Sequence, residues 1–267
     1  MQPKLSIIIT CYNLGLYLEE ALASVLNYSS KEQIEIIVVN DGSTDDLTIN
    51  ALKRIEQKFP EIYILNQDNQ GLAKARNNGI AMSNGKYIIP LDADNKLRHA
   101  FISQSISLFD LDASIDVIYG DAQFFGNKNS IWRNKKLDIT EMLLSNHIDA
   151  CAAFRKSTWD KVGRYDESMP IMGFEDWDLW LRMLVQGCGF FYSEEVYFDY
   201  RVRDNSMLSD AWQKRDELLD YIFDKKELKH LMPFRECVLE NRALKKEPTY
   251  TYALSIIGKK IKRKMRF

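Results

Sequence analysis

Short apolar runs alternate with stretches of helical periodicity along the first hundred residues. The runs are rich in β-branched residues and contain few polar ones, which is typical of strands buried on both faces. Between them, apolar residues recur three and four positions apart, as at Leu18, Leu22 and Val25. The pattern predicts strands over 5–11, 34–40, 62–65 and 87–91 and helices over 17–26, 47–59, 72–83 and 99–110. This alternation favours an α/β fold in which helices cover both faces of a mostly parallel sheet.

The alternation weakens towards the middle of the chain, although no internal repeat or low-complexity linker marks a boundary. We predict a strand over 117–120, a short helix over 139–145 and a strand over 150–154. The charged stretch 210–247 carries apolar residues at helical spacing and is predicted to be helical. We therefore expect a main domain over 1–207 and a helical C-terminal extension over 208–267.

Composition limits the broad class of the protein. With 267 residues, 46% of them hydrophobic, the chain can bury the core of a large domain. Its formal net charge of -2 gives no general attraction to nucleic acid, so we expect no nucleic-acid partner. The four cysteines form no Cys-x-x-Cys pair, which indicates reduced thiols in a cytosolic protein. No apolar run reaches the roughly 20 residues of a membrane-spanning helix, and the first run is too short for a signal peptide. We expect a cytoplasmic protein, attached at most to a membrane surface.

Two carboxylates follow the apolar run at 87–91. Asp92 and Asp94 stand one residue apart, at the expected carboxyl end of a strand. Side by side they would repel each other, whereas a divalent cation with oxygen ligands lets both stay ionised. Two protein ligands leave coordination positions for phosphate oxygens, as is common for Mg²⁺. The pattern predicts a metal-diphosphate site, and the alternative is a turn that caps the next element.

Other polar or small residues also follow predicted strands. In open parallel sheets, ligands bind beyond the carboxyl ends of the strands. That rule places Tyr12, Asn13, Asp41, Gly71 and Asp92 on one rim, although they are far apart in sequence. The rim is therefore the expected ligand site.

Six ordered motifs carry a resemblance to a known family. They occupy 7–13, 38–45, 69–77, 85–94, 173–182 and 200–206. Together they resemble glycosyltransferase family 2, a large group of GT-A glycosyltransferases. The resemblance implies a GT-A fold and an inverting transfer of a sugar from a nucleoside-diphosphate donor to a hydroxyl. It also implies acceptors in surface polysaccharide assembly, either glycans or lipid-linked molecules.

The resemblance implies roles for individual residues. Asp94 resembles the metal ligand of the family, with Asp92 beside it, so the expected cofactor is Mn²⁺ or Mg²⁺. Asp41 resembles the aspartate that recognises the base. A carboxylate that accepts from a ring nitrogen selects uracil or thymine, which favours a UDP- or dTDP-linked sugar. The residues expected to contact the donor are Thr10, Tyr12, Asn13, Asp41, Gly71, Arg76, Asp92, Ala93, Arg201 and Arg203.

Asp176 is the expected catalytic base, with Glu175 beside it. Trp177, Trp180 and Leu181 fall at helical spacing, so the two carboxylates begin an amphipathic helix whose dipole favours their ionised form. An ionised carboxylate near the acceptor can take the proton of the attacking hydroxyl. The alternative is an ordinary acidic cap followed by core tryptophans.

One position departs from the family pattern. Where the family often has histidine, this chain has Arg203, which cannot ligate a metal. Arg201 and Arg203 are instead expected to hold the diphosphate through bidentate hydrogen bonds, and the number of protein ligands to the metal stays open. Positions 147–149 and 172–173 are expected near the sugar hydroxyls, whereas the donor sugar and the acceptor stay open.

The C-terminus combines an apolar stripe with basic residues. The stripe consists of Tyr250, Leu254, Ile257, Ile261 and Met265. The basic residues are Lys259, Lys260, Lys262, Arg263, Lys264 and Arg266. A helix of this kind can lie on an anionic membrane, which would bring the protein to a lipid-linked acceptor at the inner face of a bacterial membrane. The alternative is a solvated tail.

Other protein classes share parts of this pattern. A haloacid-dehalogenase-like phosphohydrolase also has Asp-x-Asp after a strand, but its nucleophile lies near the chain start and this motif lies near residue 92. A nucleotidyltransferase would need a glycine-rich loop with arginine after the first strand, and a dinucleotide dehydrogenase would need Gly-x-Gly-x-x-Gly. Neither motif occurs. A sugar-nucleotide-binding subunit without catalysis stays open, and substitution of Asp176 distinguishes it from the enzyme.

Overall fold

A nine-stranded sheet crosses the part of the protein that the computed structural model describes, residues 2–204 and 207–246. The strands are β1 Leu5–Cys11, β2 Ile34–Asp41, β3 Tyr63–Gln67, β4 Tyr87–Asp92, β5 Lys96–Leu97, β6 Ile115–Gly126, β7 Ser130–Trp132, β8 Ala153–Arg155 and β9 Gly189–Val202. Their order is β3-β2-β1-β4-β8-β6-β9-β5, with β7 paired to β6. The sheet therefore continues from the first half of the chain into the second.

The first four strands of the sheet form its parallel half. β1 lies between β2 and β4 and is parallel to both, and β3 is parallel to β2. In the second half, β6 and β9 are parallel, whereas β8 is antiparallel to β4 and β6. The two short strands β5 and β7 are also antiparallel to their neighbours. The predicted parallel arrangement thus holds for β1 to β4, and the sheet is mixed beyond them.

Helices lie on both faces of the sheet, as predicted. The α-helices are α1 Gly15–Leu26, α2 Asp46–Lys58, α3 Leu72–Met82, α4 His99–Leu111, α5 Ile139–Met142, α6 Lys156–Lys161, α7 Glu175–Val185, α8 Met207–Gln213, α9 Arg215–Asp224 and α10 Met232–Lys246. Two short 3₁₀ helices occupy Lys31–Gln33 and Lys229–Leu231. The first four helices begin and end within two residues of the predicted bounds, while α5 is shorter than expected.

Every residue of β1 is buried, which explains its continuous apolar sequence. Successive side chains of a strand point to opposite faces, so neighbouring residues enter different cores. Ile8 belongs to a cluster with residues of α3 and α7. Ile7 and Ile9 belong to a second cluster with residues of α1, α2 and α4. The central strand therefore joins two apolar layers, one on each face.

The longest strand, β9, was not predicted from the sequence. It runs for 14 residues beside β6, with shifts in register along the pair. Most residues of β9 are only partly buried, and acidic residues interrupt its aromatic ones, so no continuous apolar run marks it. The predicted strand at 150–154 shortens to Ala153–Arg155, because Cys151 N donates to the Asp149 side chain in a turn before it.

The helices after residue 207 share the core of the main sheet. Ala211, Leu218 and Ile222 are fully buried in the same cluster as Trp177 and Trp180 of α7. The division into 1–207 and 208–267 stays a prediction. The C-terminal apolar stripe and the basic residues around it lie outside the described residues. Within the described ranges, no helix has the length and apolar character needed to cross a membrane.

Candidate functional site

The carboxyl ends of β1, β2 and β4 meet at one edge of the sheet. Thr10 of β1 is in register with Val39 of β2 on one side and Asp92 of β4 on the other. Asp41 ends β2, two residues beyond Val39. The strand pairing brings Thr10, Asp41 and Asp92 to one rim, where the parallel topology places ligands. The Thr10 hydroxyl is buried and has no hydrogen-bond partner in the described part of the chain.

Asn13 fastens the end of β1 to the loop before α2. Its backbone lies in the left-handed region at φ 53°, which asparagine tolerates better than most residues. Its side-chain oxygen accepts from the backbone N–H groups of Thr44, at 2.8 Å, and Asp45, at 3.2 Å. Tyr12 beside it is 47% exposed, so its ring is free to contact a ligand at the rim.

Asp41 is buried and holds the loop that leads into α3. Its Oδ1 accepts from the side chain of Gln67 at 2.8 Å and from Gln70 N at 2.9 Å. Its Oδ2 accepts from Gly71 N at 2.9 Å, which leaves that oxygen able to accept one more donor. Gly71 lies at φ 88° with open space where a Cβ would be, so glycine is required here for the backbone conformation.

Arg76 is a buried arginine that joins two distant acidic residues. Its side chain is 1% exposed and donates from Nη1 to Glu175 at 2.7 Å and from Nη2 to Asp92 at 2.8 Å. The guanidinium also lies 5.5 Å from the centre of the Tyr165 ring. Burial opposes the charged form, but the carboxylates of Asp92 and Glu175 raise the pKa of Arg76. Arg76 is therefore a charged bridge between β4 and α7.

Asp92, Ala93 and Asp94 form the turn after β4. Asn95 N donates to Asp92 O at 3.0 Å, and Ala93, which is fully buried, donates its N–H to Thr10 O at 3.2 Å. Burial raises the pKa of the Asp94 carboxyl, the charge of Asp92 raises it further, and Arg203 opposes both effects. The backbone forms a turn, but these side chains do not cap the next helix, because α4 follows Arg98 and has no side-chain cap. The two carboxylates form an electronegative group.

Arg201, near the end of β9, and Arg203, just after the strand, differ in their surroundings. Arg201 lies between the rings of Tyr17 and Phe125, donates from Nε to Asp94 O at 2.9 Å and pairs with Glu20. Arg203 donates from Nε to Asp94 Oδ2 at 2.7 Å, and 34% of its side chain is exposed. Arg201 is therefore occupied by protein contacts, whereas Arg203 makes one side-chain hydrogen bond within the described residues and is partly exposed.

Glu175 and Asp176 begin α7 as predicted. Glu175 is 3% exposed and accepts from Arg76 and from Gly173 N, the latter at 2.5 Å. Asp176 is half-buried and accepts from the Asn146 side chain at 3.0 Å and from Trp177 N at 2.7 Å. Burial, together with the charges of Glu175 and Asp149, raises the pKa of Asp176 well above its ordinary value. A carboxylate with a raised pKa is a stronger proton acceptor once it is ionised.

α7 is buried more completely than an amphipathic pattern implies. Its residues from Trp177 to Met183 are all buried, including Asp178 and Arg182. Arg182 donates to Asp178 Oδ2 at 2.7 Å, and Lys225 from the chain segment after α9 donates to Asp178 Oδ1 at 2.6 Å. The side of α7 that the sequence predicted to face solvent is therefore covered by charged groups that pair with one another.

Two residues near the site, Asn146 and Asp149, had little or no signal in the sequence. Asn146 orients Asp176 and belongs to no motif. Burial and the charge of Asp92 raise the pKa of Asp149 to about 7, in a segment that we assigned only to sugar contacts. Burial raises the pKa of Tyr200, and the charges of Asp149 and Asp92 raise it further. The influence of the same carboxylates on Asp149 and Tyr200 indicates that β4, β9 and the segment around Asp149 lie close together.

The side chains present are compatible with a divalent cation. Five carboxylates influence one another here, and two arginines, Arg76 and Arg203, pair with them; the carboxylates are Asp92, Asp94, Asp149, Glu175 and Asp176. The raised pKa values of Asp94, Asp149 and Asp176 reflect this excess of negative charge as well as burial. Hard oxygen donors in such an excess suit Mg²⁺ or Mn²⁺. The described residues contain no cluster of three or more His, Cys, Asp or Glu with the geometry of a complete metal site.

Comparison with known proteins connects this site to a family. The sequence model described as Glycosyl transferase family 2 matches residues 6–170. An uncharacterized glycosyltransferase of Rickettsia prowazekii is 32% identical over 221 residues, which cover 78% of this chain and 65% of that protein. The minor teichoic acid biosynthesis protein GgaB of Bacillus subtilis is 31% identical over 210 residues, which cover 75% of this chain and 23% of that protein. The chain spans less than two thirds of the length of either relative.

Solved structures share the fold. TarS of S. aureus, residues 1–349 in complex with UDP, superposes with a TM-score of 0.64 at 18% identity, covering 94% of this chain and 75% of that one. The mannosyltransferase PcManGT of Pyrobaculum calidifontis, in complex with GDP-Man and Mn²⁺, has a TM-score of 0.62 at 17% identity, covering 98% and 81%. These likenesses confirm the predicted α/β fold of the GT-A type. The match over residues 6–170, more than half of the chain, shows that the chain belongs to glycosyl transferase family 2.

Proposed function

We propose that the protein transfers a hexose, with inversion and with the help of a divalent metal, from a UDP- or dTDP-linked donor to a hydroxyl. The observation that carries the proposal is the Arg76 bridge. It joins Asp92, in the turn expected to hold the metal, to Glu175, which precedes the expected base Asp176. One buried guanidinium therefore holds the two halves of the proposed reaction side by side.

The rim at β1, β2 and β4 is the proposed donor site. Tyr12 offers an exposed ring to stack on the base, Asp41 Oδ2 can accept from a ring N–H, and Asn13 fixes the loop between them. The complexes of TarS with UDP and of PcManGT with GDP-Man support a nucleotide in a fold of this type. The preference for uracil or thymine rests on Asp41.

Asp92 and Asp94 would hold the metal. The bound ion would stabilise the charge that develops on the departing diphosphate. Arg203, which already pairs with Asp94 and is partly exposed, is placed to donate to the same phosphate oxygens. The Mn²⁺ bound with GDP-Man in PcManGT supports this assignment. Arg201 is proposed to fix Asp94 through its backbone oxygen and not to contact the donor directly.

Asp176 would take the proton of the acceptor hydroxyl. As that proton moves to the carboxylate, the acceptor oxygen forms a bond to the anomeric carbon. The bond from this carbon to the diphosphate breaks on the opposite face, and its electron pair leaves with the nucleoside diphosphate. Asn146 and Trp177 N hold the Asp176 carboxylate in position, and Glu175 is held away from the acceptor by Arg76 and Gly173 N. A single displacement of this kind inverts the anomeric configuration.

The proposed acceptor is a hydroxyl of a glycan or a lipid-linked molecule in surface polysaccharide assembly. The relative GgaB, which takes part in minor teichoic acid biosynthesis, supports this class of acceptor. We propose a cytoplasmic location and contact with the inner face of the membrane through the C-terminal apolar stripe and the basic residues around it. Deletion of residues 258–267 should then release the protein from vesicles that contain anionic lipid.

Nucleotide binding and transfer can be tested separately. Thermal unfolding should be measured with UDP, dTDP and GDP, each with and without Mn²⁺, for the wild type, Asp94→Asn and Asp176→Asn. A nucleotide at 100 times its dissociation constant stabilises a protein by about 2.7 kcal/mol. We expect this stabilisation only with metal and UDP or dTDP, its loss in Asp94→Asn and its retention in Asp176→Asn. Stabilisation by none of these nucleotides would refute the donor site.

Transfer itself is followed by the release of nucleoside diphosphate from a panel of donors with simple glycosides as acceptors. Asp176→Asn should bind the nucleotide and release no product. NMR of the glycoside formed by the wild type then gives the anomeric configuration, and retention would contradict the single displacement. A nucleotide that binds without transfer in any donor and acceptor pair would favour the sugar-nucleotide-binding subunit.

A further inference from the structure

Trp212 differs from the other tryptophans in its exposure. The chain has five tryptophans, all within the described ranges, and Trp159, Trp177 and Trp180 are at most 1% exposed. Trp212 is 47% exposed, although its neighbour Ala211 on α8 is fully buried. The helix is thus anchored in the core while it presents an indole to solvent. Tryptophan is enriched at binding interfaces, because its indole combines a large apolar face with one polar N–H group.

The indole is fixed to the start of α7. The rings of Trp212 and Phe174 are 5.6 Å apart and nearly perpendicular, at 78°. Phe174 is 2% exposed, contacts Trp177 at 5.3 Å and immediately precedes Glu175 and Asp176. An edge-to-face pair with a buried ring holds the indole in one orientation. Trp212 therefore contacts the residue that immediately precedes Glu175 and the proposed base Asp176.

A second set of contacts brings the same segments together. The Arg215 guanidinium lies 5.7 Å from the centre of the Trp212 ring and donates to Leu144 O at 2.8 Å. Two residues further on, Asn146 donates to the Asp176 carboxylate. Segment 144–146 thus contacts Arg215 of α9, which lies beside Trp212, and contacts the proposed base through Asn146. Trp212 and Asp176 are thus both connected to segment 144–146, the first through Arg215 and the second through Asn146.

A sugar ring matches a surface of this kind. It has polar edges formed by hydroxyls and a face of C–H groups, which can stack on a flat aromatic side chain. The indole supplies such a face with little loss of conformational freedom, because Phe174 already holds it. We propose that Trp212 is a platform for the acceptor, on which a sugar ring stacks so that one of its hydroxyls reaches Asp176. This inference rests on the proposed function and adds the acceptor class, a glycan.

The test uses binding, so that it does not depend on turnover. Saturation-transfer NMR is recorded for methyl glycosides of glucose, galactose, N-acetylglucosamine and rhamnose, with UDP and Mn²⁺ present. The variants are Trp212→Ala, Trp212→Phe and the control Phe234→Ala, which removes an aromatic ring of similar exposure, 44%, from α10. UDP binding to each variant is measured in parallel by thermal shift.

We expect at least one glycoside to receive saturation on its ring C–H protons with the wild type and with Phe234→Ala. The signal should fall at least fivefold in Trp212→Ala and be partly kept in Trp212→Phe, with UDP binding unchanged in all variants. An equal signal in Trp212→Ala, or no glycoside signal with a wild type that binds UDP, would overturn the platform alone. If the wild type itself showed no metal-dependent binding of UDP, the proposed function would be overturned instead.

Discussion

Replacement of Arg76 by methionine tests the central bridge of the site. Methionine fills a similar volume without the charge. The change leaves Glu175, which is 3% exposed, with only Gly173 N as a donor among the contacts described above. It also removes the partner of Asp92, whose side chain is 33% exposed. The variant thus creates one buried unpaired carboxylate and one that water can partly solvate.

The size of the effect follows from these exposures. Removing one partner of a buried ion pair costs about 3–5 kcal/mol, because the remaining charge is buried without compensation. Glu175 should cause most of this loss, whereas the contribution of Asp92 is reduced by solvent. The lost contact with the Tyr165 ring adds about 0.5–1 kcal/mol. We therefore expect Arg76→Met to lower the free energy of unfolding by about 3.5–6 kcal/mol, a large part of the usual 5–15 kcal/mol.

Urea unfolding in the presence of EDTA measures this loss. A matched control is Lys74→Met on the same helix, where Lys74 pairs with Glu167 and both side chains are about one third exposed, at 33% and 37%. An exposed pair contributes at most about 1 kcal/mol, so this control should change little. The double variant Arg76→Met with Glu175→Gln removes the buried charge as well and should recover part of the stability. Equal losses in Arg76→Met and Lys74→Met, or no recovery in the double variant, would refute the reasoning.

Three further predictions concern the carboxylates and Arg203. Asp176→Asn should lower transfer at least about 100-fold, the usual contribution of a general base, and leave UDP affinity unchanged in calorimetry. Arg203→Ala should weaken UDP binding in the presence of Mn²⁺ about tenfold or more, because a charge-assisted hydrogen bond contributes about 1.5–3 kcal/mol; calorimetry with equal affinity would contradict this. The pKa of Asp149, about 7, lies above its ordinary value, so the folded protein favours the neutral form and loses stability as pH rises from about 4 to about 7. Full burial would make this loss about 4 kcal/mol, and partial solvation reduces it to about 2 kcal/mol. Urea unfolding in EDTA at pH 5 and pH 8 should show the larger part of that loss in the wild type and a smaller loss in Asp149→Asn.

The N-terminal half was predictable because its strands are buried on both faces. A strand such as β1, with every residue buried, leaves a continuous apolar run that the sequence shows directly. β9 leaves no such run, because most of its residues are only partly buried and acidic residues lie among its aromatic ones. Its position depends on pairing with β6, about 70 residues earlier, as Val117 and Phe190 show. Such non-local pairing leaves no local periodicity.

The sequence predicted where the residues of the site lie in the fold better than it predicted which side chains contact one another. The sequence places Asp92, Asp94 and Asp176 at element ends, and the structure finds them there. It does not reveal that Arg76 pairs with Glu175, because 99 residues separate them. Nor does it reveal that Asn146 holds Asp176, since a lone asparagine in a loop has no pattern. Their roles in binding and catalysis stay predictions.

The arrangement of charges explains why Arg76 is an arginine. A planar guanidinium can donate to two carboxylates on different elements at once, whereas a lysine ammonium presents a single point charge. Because Nη1 and Nη2 contact Glu175 and Asp92 separately, the fork sets the distance between the turn after β4 and the start of α7. Movement of either element relative to the other would break one of these two ion pairs. The spacing between the proposed metal turn and the proposed base is thus fixed by one buried side chain and does not depend on the loops that connect them.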